Sequence, residues 1–160
     1  MLHNIGDRNM KLAEALSIRK DLQMRIEQLR ERLTNNVRVQ EGEMPYEQPE
    51  ELMKELDSCL NQWQKWIYNI NVTNMRTIYD GKTLTQLQAE REVLKKRVSI
   101  LRSAFDIASQ PVGRYSRQEI KSVTVIDVKA LRKEVDKLSQ QLRKLDVTIQ
   151  TINFTTELIE

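Results

Sequence analysis

The sequence contains few of the residues that end or bend secondary structure. Its 160 residues include four Gly and three Pro, well below the usual shares of about 7% and 5%. We therefore expect a few long elements with few tight turns. A single Cys excludes an internal disulfide framework, and a single His removes most zinc and acid–base sites. The four glycines are too scattered to form a glycine-rich phosphate loop.

Charged residues are plentiful but nearly balanced. They make up 31% of the sequence, and 26 basic against 23 acidic residues give a net charge of +3. So small an excess is only a weak indication of an anionic partner. No charged and apolar leader opens the sequence, and no apolar run is long enough to cross a membrane. We therefore expect a cytoplasmic protein without a signal peptide or a transmembrane segment.

Two long amphipathic helices are predicted in the first half of the sequence. Helix 1 covers residues 10–34, where apolar residues recur every three or four positions along one stripe. Helix 2 begins at Pro49, whose missing N–H costs nothing in a first turn. The apolar stripe of helix 2 comprises Leu52, Leu56, Cys59, Leu60, Trp63, Trp66, Ile67 and Ile70. A stripe this wide usually contacts more than one neighbouring helix.

Two more helices are predicted in the second half. An Asp80-Gly81 turn signal precedes Thr83-Leu84-Thr85-Gln86, a capping box that opens helix 3. Helix 4 begins after Asp127, a favourable N-cap residue, and keeps its apolar register without a break. The predicted fold class is therefore all-α, an antiparallel helical bundle or coiled coil of four long helices.

The second pair of helices resembles the first, which indicates a duplicated α-hairpin. Helix 1 aligns with helix 3 at an offset of 72 residues. Helix 2 aligns with helix 4 at an offset of 82, through a shared Ile-Asn-x-Thr motif. Any two heptad helices align on their leucines. The duplication is therefore indicated by the shared arginines and by this polar motif. The motif consists of Asn71, Thr73, Asn153 and Thr155, which we expect to lie together near the connector.

The predicted domain organisation follows these repeats. Residues 10–160 form a single helical domain, with hairpin repeats at 10–72 and 84–160 and a connector at 73–83. Residues 1–9 are predicted to be a disordered extension or one that is not native to the protein.

The two hairpin loops are predicted to lie at the same end of the bundle. Each carries a short alternating run of β-branched residues, Val37-Arg38-Val39 and Val123-Thr124-Val125, which is a strand signal. We therefore expect a short β ribbon at the hairpin-loop end, formed within the chain or with a second subunit. The segment 110–126 is long for a loop and is predicted to face a partner. Its candidate contact residues are Arg114, Tyr115, Arg117 and Lys121.

Five segments resemble a known family of small bacterial proteins. They are MKLAEAL at 10–16, RLTNNVRVQEGE at 32–43, DGKTLT at 80–85, RYSRQEIKSVTVIDV at 114–128 and INFTTELIE at 152–160. Together they make the chain similar to septicolysin-like proteins from Met10 to the last residue. The family name implies a cytolysin, but the resemblance assigns no activity, ligand or catalytic residue to any position.

Two sets of residues are candidates for assembly. The wide stripe of helix 2 is the candidate oligomer interface, through Trp63, Trp66, Ile67 and Ile70. Arg19 and Arg91 occupy apolar seam positions, where a charge costs stability unless it is paired or reaches water. Either these arginines pair with carboxylates at the bundle mouth or a subunit interface, or the seam drifts and leaves them in water.

No catalytic residue, metal site or cofactor is expected. Cys59 lies on an apolar stripe, where cysteine most often acts as a small hydrophobe. We predict a non-enzymatic, self-associating coiled-coil scaffold or protein-binding module, a homo-oligomer with an unidentified protein partner. One alternative is a membrane-acting cytolysin. The other, weaker alternative is nucleic-acid binding through the basic residues of helices 1 and 3. These are Arg19, Lys20, Arg25, Arg30, Arg32, Arg91, Lys95, Lys96, Arg97 and Arg102.

Overall fold

The computed structural model describes residues 9–111 and 122–160, and these ranges form an all-α fold. The helices are α1 (Leu12–Asn36), α2 (Pro49–Arg76), α3 (Leu84–Ala108) and α4 (Val128–Thr155). Two short strands, β1 (Ile78–Tyr79) and β2 (Lys82–Thr83), separate α2 from α3. Helix α1 pairs with α2, and α3 pairs with α4. The predicted fold class is confirmed.

The chain divides into two compact units. Unit one consists of the chain up to Leu84 together with Gln150–Glu160, and unit two consists of Thr85–Ile149. Unit one therefore holds α1, α2, both strands and the end of α4, whereas unit two holds most of α3 and α4. The C-terminal residues thus belong with the first hairpin rather than with the second.

An apolar seam holds α1 against α2. Leu29, Leu52 and Cys59 are buried there, and partly buried leucine and isoleucine side chains of both helices pack against them. Arg25 of α1 donates to Glu55 of α2 over 2.6 Å, and Arg32 donates to Glu47, just before α2. Because later residues of α1 meet earlier residues near α2, the two helices are antiparallel.

The same pattern of buried positions recurs in the two hairpins. Helices α1 and α3 each have 25 residues, and α2 and α4 each have 28. At the predicted offset of 72, the buried Leu12 and Ala15 match the buried Leu84 and Leu87. The buried positions of α2 and α4 match at an offset of 79. They pair Leu52 with Leu131, Cys59 with Leu138, Ile70 with Ile149 and Thr73 with Ile152.

This register differs from the offset of 82 that the Ile-Asn-x-Thr motif predicts. Thr73 is buried whereas Thr155 is exposed, so the two threonines do not occupy equivalent positions. At an offset of 79, Asn153 matches Asn74. The two offsets differ by three residues, nearly one helical turn. Heptad leucines therefore align almost equally well in either register, and burial has to decide between them.

The helix boundaries follow the predicted capping signals. Pro49 is the first residue of α2. The Asp127 Oδ1 atom accepts a hydrogen bond of 3.0 Å from the Ala130 N–H, which confirms Asp127 as the N-cap of α4. Helix α3 begins at Leu84, directly after Thr83.

The β structure lies in the connector, and its predicted position was wrong. Neither Val37-Arg38-Val39 nor Val123-Thr124-Val125 forms a strand. Instead Ile78 pairs with Thr83, and Tyr79 pairs with Lys82. Asp80 and Gly81 both have positive φ, 49° and 76°, which suits a two-residue hairpin turn whose twist matches that of the strands. The Asp-Gly turn therefore determines where the strands form, and a β-branched run without such a turn stays irregular.

Residues 156–159 form hydrogen bonds with the start of α1 and the end of α2. We call this set of contacts the clasp. The Leu158 N–H donates to the Met10 carbonyl (2.7 Å), and the Leu12 N–H donates to the Thr156 carbonyl (2.9 Å). The Ile159 N–H donates to Thr73 Oγ1 over 3.0 Å. The second of these bonds satisfies the Leu12 N–H in the first turn of α1, which lacks a partner within the helix itself.

Asn9 is the last residue of the predicted N-terminal extension and the one that the structure describes. Asn9 donates through its side chain to Glu157 over 2.9 Å and so belongs to the clasp. The rest of the predicted extension, residues 1–8, lies outside the described residues.

Candidate functional site

One exposed face of α3 carries apolar side chains at a seven-residue spacing. Val93, Ile100 and Ile107 are 64%, 57% and 70% exposed. Seven residues are nearly two helical turns, so the three side chains lie on one line. We call these three residues the outer stripe. The outer stripe was not predicted from the sequence, because the stronger seam pattern dominates the periodicity of the same helix.

Helix α1 has no equivalent of the outer stripe. At the offset of 72, the matching positions are Asp21, Gln28 and Asn35, all polar and all exposed. The two helices thus share their buried seam and differ on the opposite face. A polar outer face is usual for a surface helix, whereas a heptad-spaced apolar one is typical of a second packing surface.

The candidate oligomer interface on α2 is only partly available. Trp63, Trp66 and Ile67 are half-buried, but Ile70 is 0% exposed and packs inside the chain. The prediction that Ile70 contributes to a subunit interface was therefore wrong. It failed because the width of an apolar stripe does not reveal which of its residues are buried within the chain, and Ile70 is one of these.

The two seam arginines have different surroundings. Arg91 is half-buried and lies 3.2 Å from Glu92 and 3.9 Å from Asp146 of α4. Arg19 is also half-buried, but within the described ranges it has no carboxylate within 4 Å. The alternative of carboxylate pairing therefore fits Arg91, and the alternative of a drifting seam fits Arg19.

The polar repeat motif is split between the helix interior and the surface. Thr73 is 0% exposed, and its hydroxyl donates to the Asn69 carbonyl over 2.8 Å while accepting from Ile159. Asn71 and Thr155 are exposed, and Thr155 donates to its own helix at the Thr151 carbonyl. The Oδ1 atoms of Asn74 and Asn153 are buried without a hydrogen-bond donor among the described residues. Thr73 is therefore the motif residue that takes part in the clasp, through its hydrogen bond with Ile159.

A groove between α3 and α4 of unit two is lined by basic and hydroxyl side chains. Its volume is about 370 Å³, and Val98 and Leu142 contribute apolar surface to it. The polar lining residues are Lys95, Ser99, Arg102, Ser103, Asp106, Ser139 and Arg143. Arg102 donates to Ser139 across the groove over 3.4 Å. We call this feature the basic groove. It is suited to an anionic ligand, because three cations and three hydroxyls face a single carboxylate.

Three of the five basic residues of α1 form ion pairs with carboxylates of unit one. Arg25 pairs with Glu55, Arg30 with Glu27, and Arg32 with Glu47. The hydrogen bond from Arg32 lowers the pKa of the Glu47 carboxyl below its ordinary value. Helices 1 and 3, treated alike in the nucleic-acid hypothesis, are therefore electrostatically different.

Other predicted features carry no assembled chemistry. Cys59 is buried at the α1–α2 seam. Within residues 9–111 and 122–160, no group of histidine, cysteine and acidic side chains is placed to hold a metal ion. In the same ranges no helix is long and apolar enough to span a bilayer. The candidate partner-facing residues Arg114, Tyr115, Arg117 and Lys121 lie outside the described residues.

Comparison with known proteins connects the chain to a family without an assigned role. A family described as a family of unknown function (DUF6847) matches residues 19–158. The crystal structure of a functionally unknown conserved protein from Corynebacterium diphtheriae is similar, with a TM-score of 0.87 and 36% identity. That match covers 94% of this chain and 99% of the other. No curated protein matches the sequence. Neither match carries the septicolysin name, so that resemblance has no support here.

Proposed function

The chain belongs to the DUF6847 family of unknown function, and we propose from its surfaces that it is a non-enzymatic, self-associating helical scaffold. The observation that carries this proposal is the outer stripe of α3. Three branched apolar side chains at a seven-residue spacing expose a line about 21 Å long, given 1.5 Å per residue. Leaving such a line in water is unfavourable, and packing it against another helix removes that cost.

The proposed occupant of the outer stripe is the α3 helix of a second copy. A heptad-spaced stripe packs best against a helix with the same spacing. An antiparallel pair with its two-fold axis at Ile100 places Val93 of each copy against Ile107 of the other.

The half-exposed part of α2 extends this proposal. Trp63, Trp66 and Ile67 retain apolar surface after α1 and α2 have paired, and aromatic residues are enriched in protein interfaces. We assign this surface to a further protein partner.

We place the protein in the cytoplasm, because its sole cysteine is a free, buried thiol of the kind that reducing compartments maintain.

The experiment that tests self-association is a measurement of mass in solution by light scattering over a range of concentrations. We expect the wild-type protein to be a dimer and the Ile100→Asp variant a folded monomer. Gln28→Asp is the matched control, because it adds the same charge at the equivalent position of α1. It should remain a dimer.

Two outcomes would overturn the proposal. A wild-type protein that is monomeric at all concentrations would exclude self-association. A dimer that survives Ile100→Asp with an unchanged mass would place the interface elsewhere. Circular dichroism of each variant establishes that the helices are intact, so that a loss of mass reports on the interface.

A further inference from the structure

The two units carry opposite net charge. Residues 85–149, which form unit two, contain 14 basic and eight acidic residues, a net charge of +6. The remainder of the chain contains 12 basic and 15 acidic residues, a net charge of −3. The small overall charge therefore conceals a strongly basic unit. A basic surface of this kind attracts polyanions over the Debye length, about 8 Å at physiological salt.

Part of this charge lies in the basic groove without carboxylate partners. Among the described residues, Lys95, Arg102 and Arg143 form no ion pair within 4 Å, and Arg102 instead donates to the hydroxyl of Ser139. Asp106 lines the same groove. It lies four residues, one helical turn, beyond Arg102. The groove therefore has a donor-rich section, from Lys95 to Ser103, and an acidic end.

The equivalent positions of unit one have the opposite character. At the offset of 72, Ser99 and Ser103 correspond to Glu27 and Glu31, and Arg102 corresponds to Arg30, which pairs with Glu27. At the offset of 79, Ser139 and Leu142 correspond to Leu60 and Trp63. The same backbone framework thus carries a partly acidic, apolar surface in unit one and a row of donors in unit two.

From this contrast we infer that the basic groove binds the sugar–phosphate backbone of duplex nucleic acid without reading its sequence. Lys, Arg and Ser side chains are the usual donors to phosphate oxygens. Among the described residues, no aromatic side chain lines the groove, so this lining offers no platform for stacking unpaired bases. The section from Lys95 to Ser103 is about 12 Å long. Over that length of its helix axis, a DNA duplex presents three to four phosphates of one strand, at about 3.4 Å of axis each.

The experiment is fluorescence anisotropy of a labelled 20-base-pair DNA duplex with the full-length protein, from 50 to 200 mM salt. Three phosphate contacts predict that log K falls against log salt with a slope of about −2.7. The variant Ser99→Glu/Ser103→Glu, which copies unit one, should weaken binding at least tenfold. Asp106→Asn should strengthen it, because it removes the carboxylate at the acidic end.

A matched control separates the groove from net charge. Lys95→Gln/Arg143→Gln and Arg25→Gln/Arg30→Gln each remove two positive charges. Only the first pair should reduce binding and flatten the salt slope, by about one for each cation. Equal losses from both pairs would overturn the inference, since binding would then follow overall charge alone.

Two further outcomes would also overturn it. The first is a wild-type protein that does not retain the duplex at 50 mM salt. The second is displacement of the duplex by polyglutamate at equal charge concentration, which would assign the groove to an acidic protein. The subunit mass of each variant is measured in parallel. A groove variant that loses DNA binding but remains a dimer shows that nucleic-acid binding and self-association can be tested separately.

Discussion

The two helical hairpins of this protein share an interior and differ on their exteriors. Leu12 of α1 and Leu84 of α3 are both 0% exposed, and Ile70 of α2 and Ile149 of α4 are 0% and 2% exposed. Outside the seam, Asp21, Gln28 and Asn35 of one hairpin correspond to Val93, Ile100 and Ile107 of the other. Burial restricts the seam to apolar side chains of suitable size, whereas surface positions tolerate most substitutions. The shared interior is therefore explained by folding, whereas folding does not require the exteriors to be alike.

The largest expected effect concerns the register that relates α2 to α4. Ile70→Ala and Ile149→Ala should each lower the free energy of unfolding by about 2–5 kcal/mol, because each leaves a cavity in a seam. Ile67→Ala should cost less than about 1.5 kcal/mol, since Ile67 is half-buried. Urea denaturation measures all three. An offset of 82 instead pairs Ile67 with Ile149. Equal losses of unfolding free energy from Ile67→Ala and Ile149→Ala would therefore support the offset of 82.

The next effect comes from moving the outer stripe to the first hairpin. Asp21→Val/Gln28→Ile/Asn35→Ile gives α1 the apolar positions of α3. We expect this variant to gain a second association surface and to form species larger than the wild type at the same concentration. Analytical ultracentrifugation measures the change, and Ser17→Ala, a small change at another exposed position of α1, is the control. An unchanged sedimentation profile would show that heptad spacing alone does not create an interface.

A smaller effect is expected at the β-turn, which belongs to unit one and has no counterpart after α4 among the described residues. Gly81 has a φ of +76° and open space around it. Gly81→Ala should therefore cost about 1 kcal/mol through backbone conformation alone, without a steric clash. Thermal unfolding checks this value. Gly81→Asn should cost less, because asparagine tolerates positive φ better than alanine does, and the reverse order would contradict a turn of this type.

The smallest effect is a pH dependence at the clasp and at the first hairpin loop. Hydrogen bonds from Asn9 and the charge of Lys11 lower the pKa of Glu157, and Arg32 lowers that of Glu47. Because these folded-state pKa values lie below the ordinary 4.5, the stabilisation is complete above pH 4.5 and is lost as the pH falls through them. Both contacts are exposed, so the change is small.

The pH effect is measured as the thermal midpoint between pH 3 and pH 7. We expect the midpoint of the wild type to fall at the acidic end more than that of Glu157→Gln, whose side chain does not titrate. Parallel curves for the two proteins would show that the clasp carboxylate contributes nothing.

Much of the fold was predictable because it depends on local sequence. Apolar periodicity located all four helices, and Pro49 and Asp127 marked two of their starts. The β ribbon was misplaced because the alternating valines lack a turn such as Asp80-Gly81 to bring them together. The register of α4 was misassigned because offsets about one turn apart align the heptad leucines almost equally well. The pattern of buried positions, including Leu52, Cys59 and Thr73, separates the two offsets.

The surfaces were less predictable, because they depend on which side chains remain free after packing. Ile70 is fully buried within the chain, which apolar periodicity alone does not reveal. The basic residues of α1 and α3 look alike in sequence, yet Arg25 and Arg32 meet carboxylates from distant positions and Lys95 does not. The signal for the outer stripe was present as a second seven-residue repeat, at Val93, Ile100 and Ile107.

Disulfide cross-linking at the proposed two-fold axis tests the central claim most directly. Ile100→Cys places a thiol opposite its own copy across the axis, and the native thiol of Cys59 is buried and does not compete. Under mild oxidation we predict that Ile100→Cys forms a covalent dimer at low protein concentration and that Gln28→Cys, its equivalent on α1, does not. Equal cross-linking of the two variants, or none in either, would contradict an interface formed by the outer stripe.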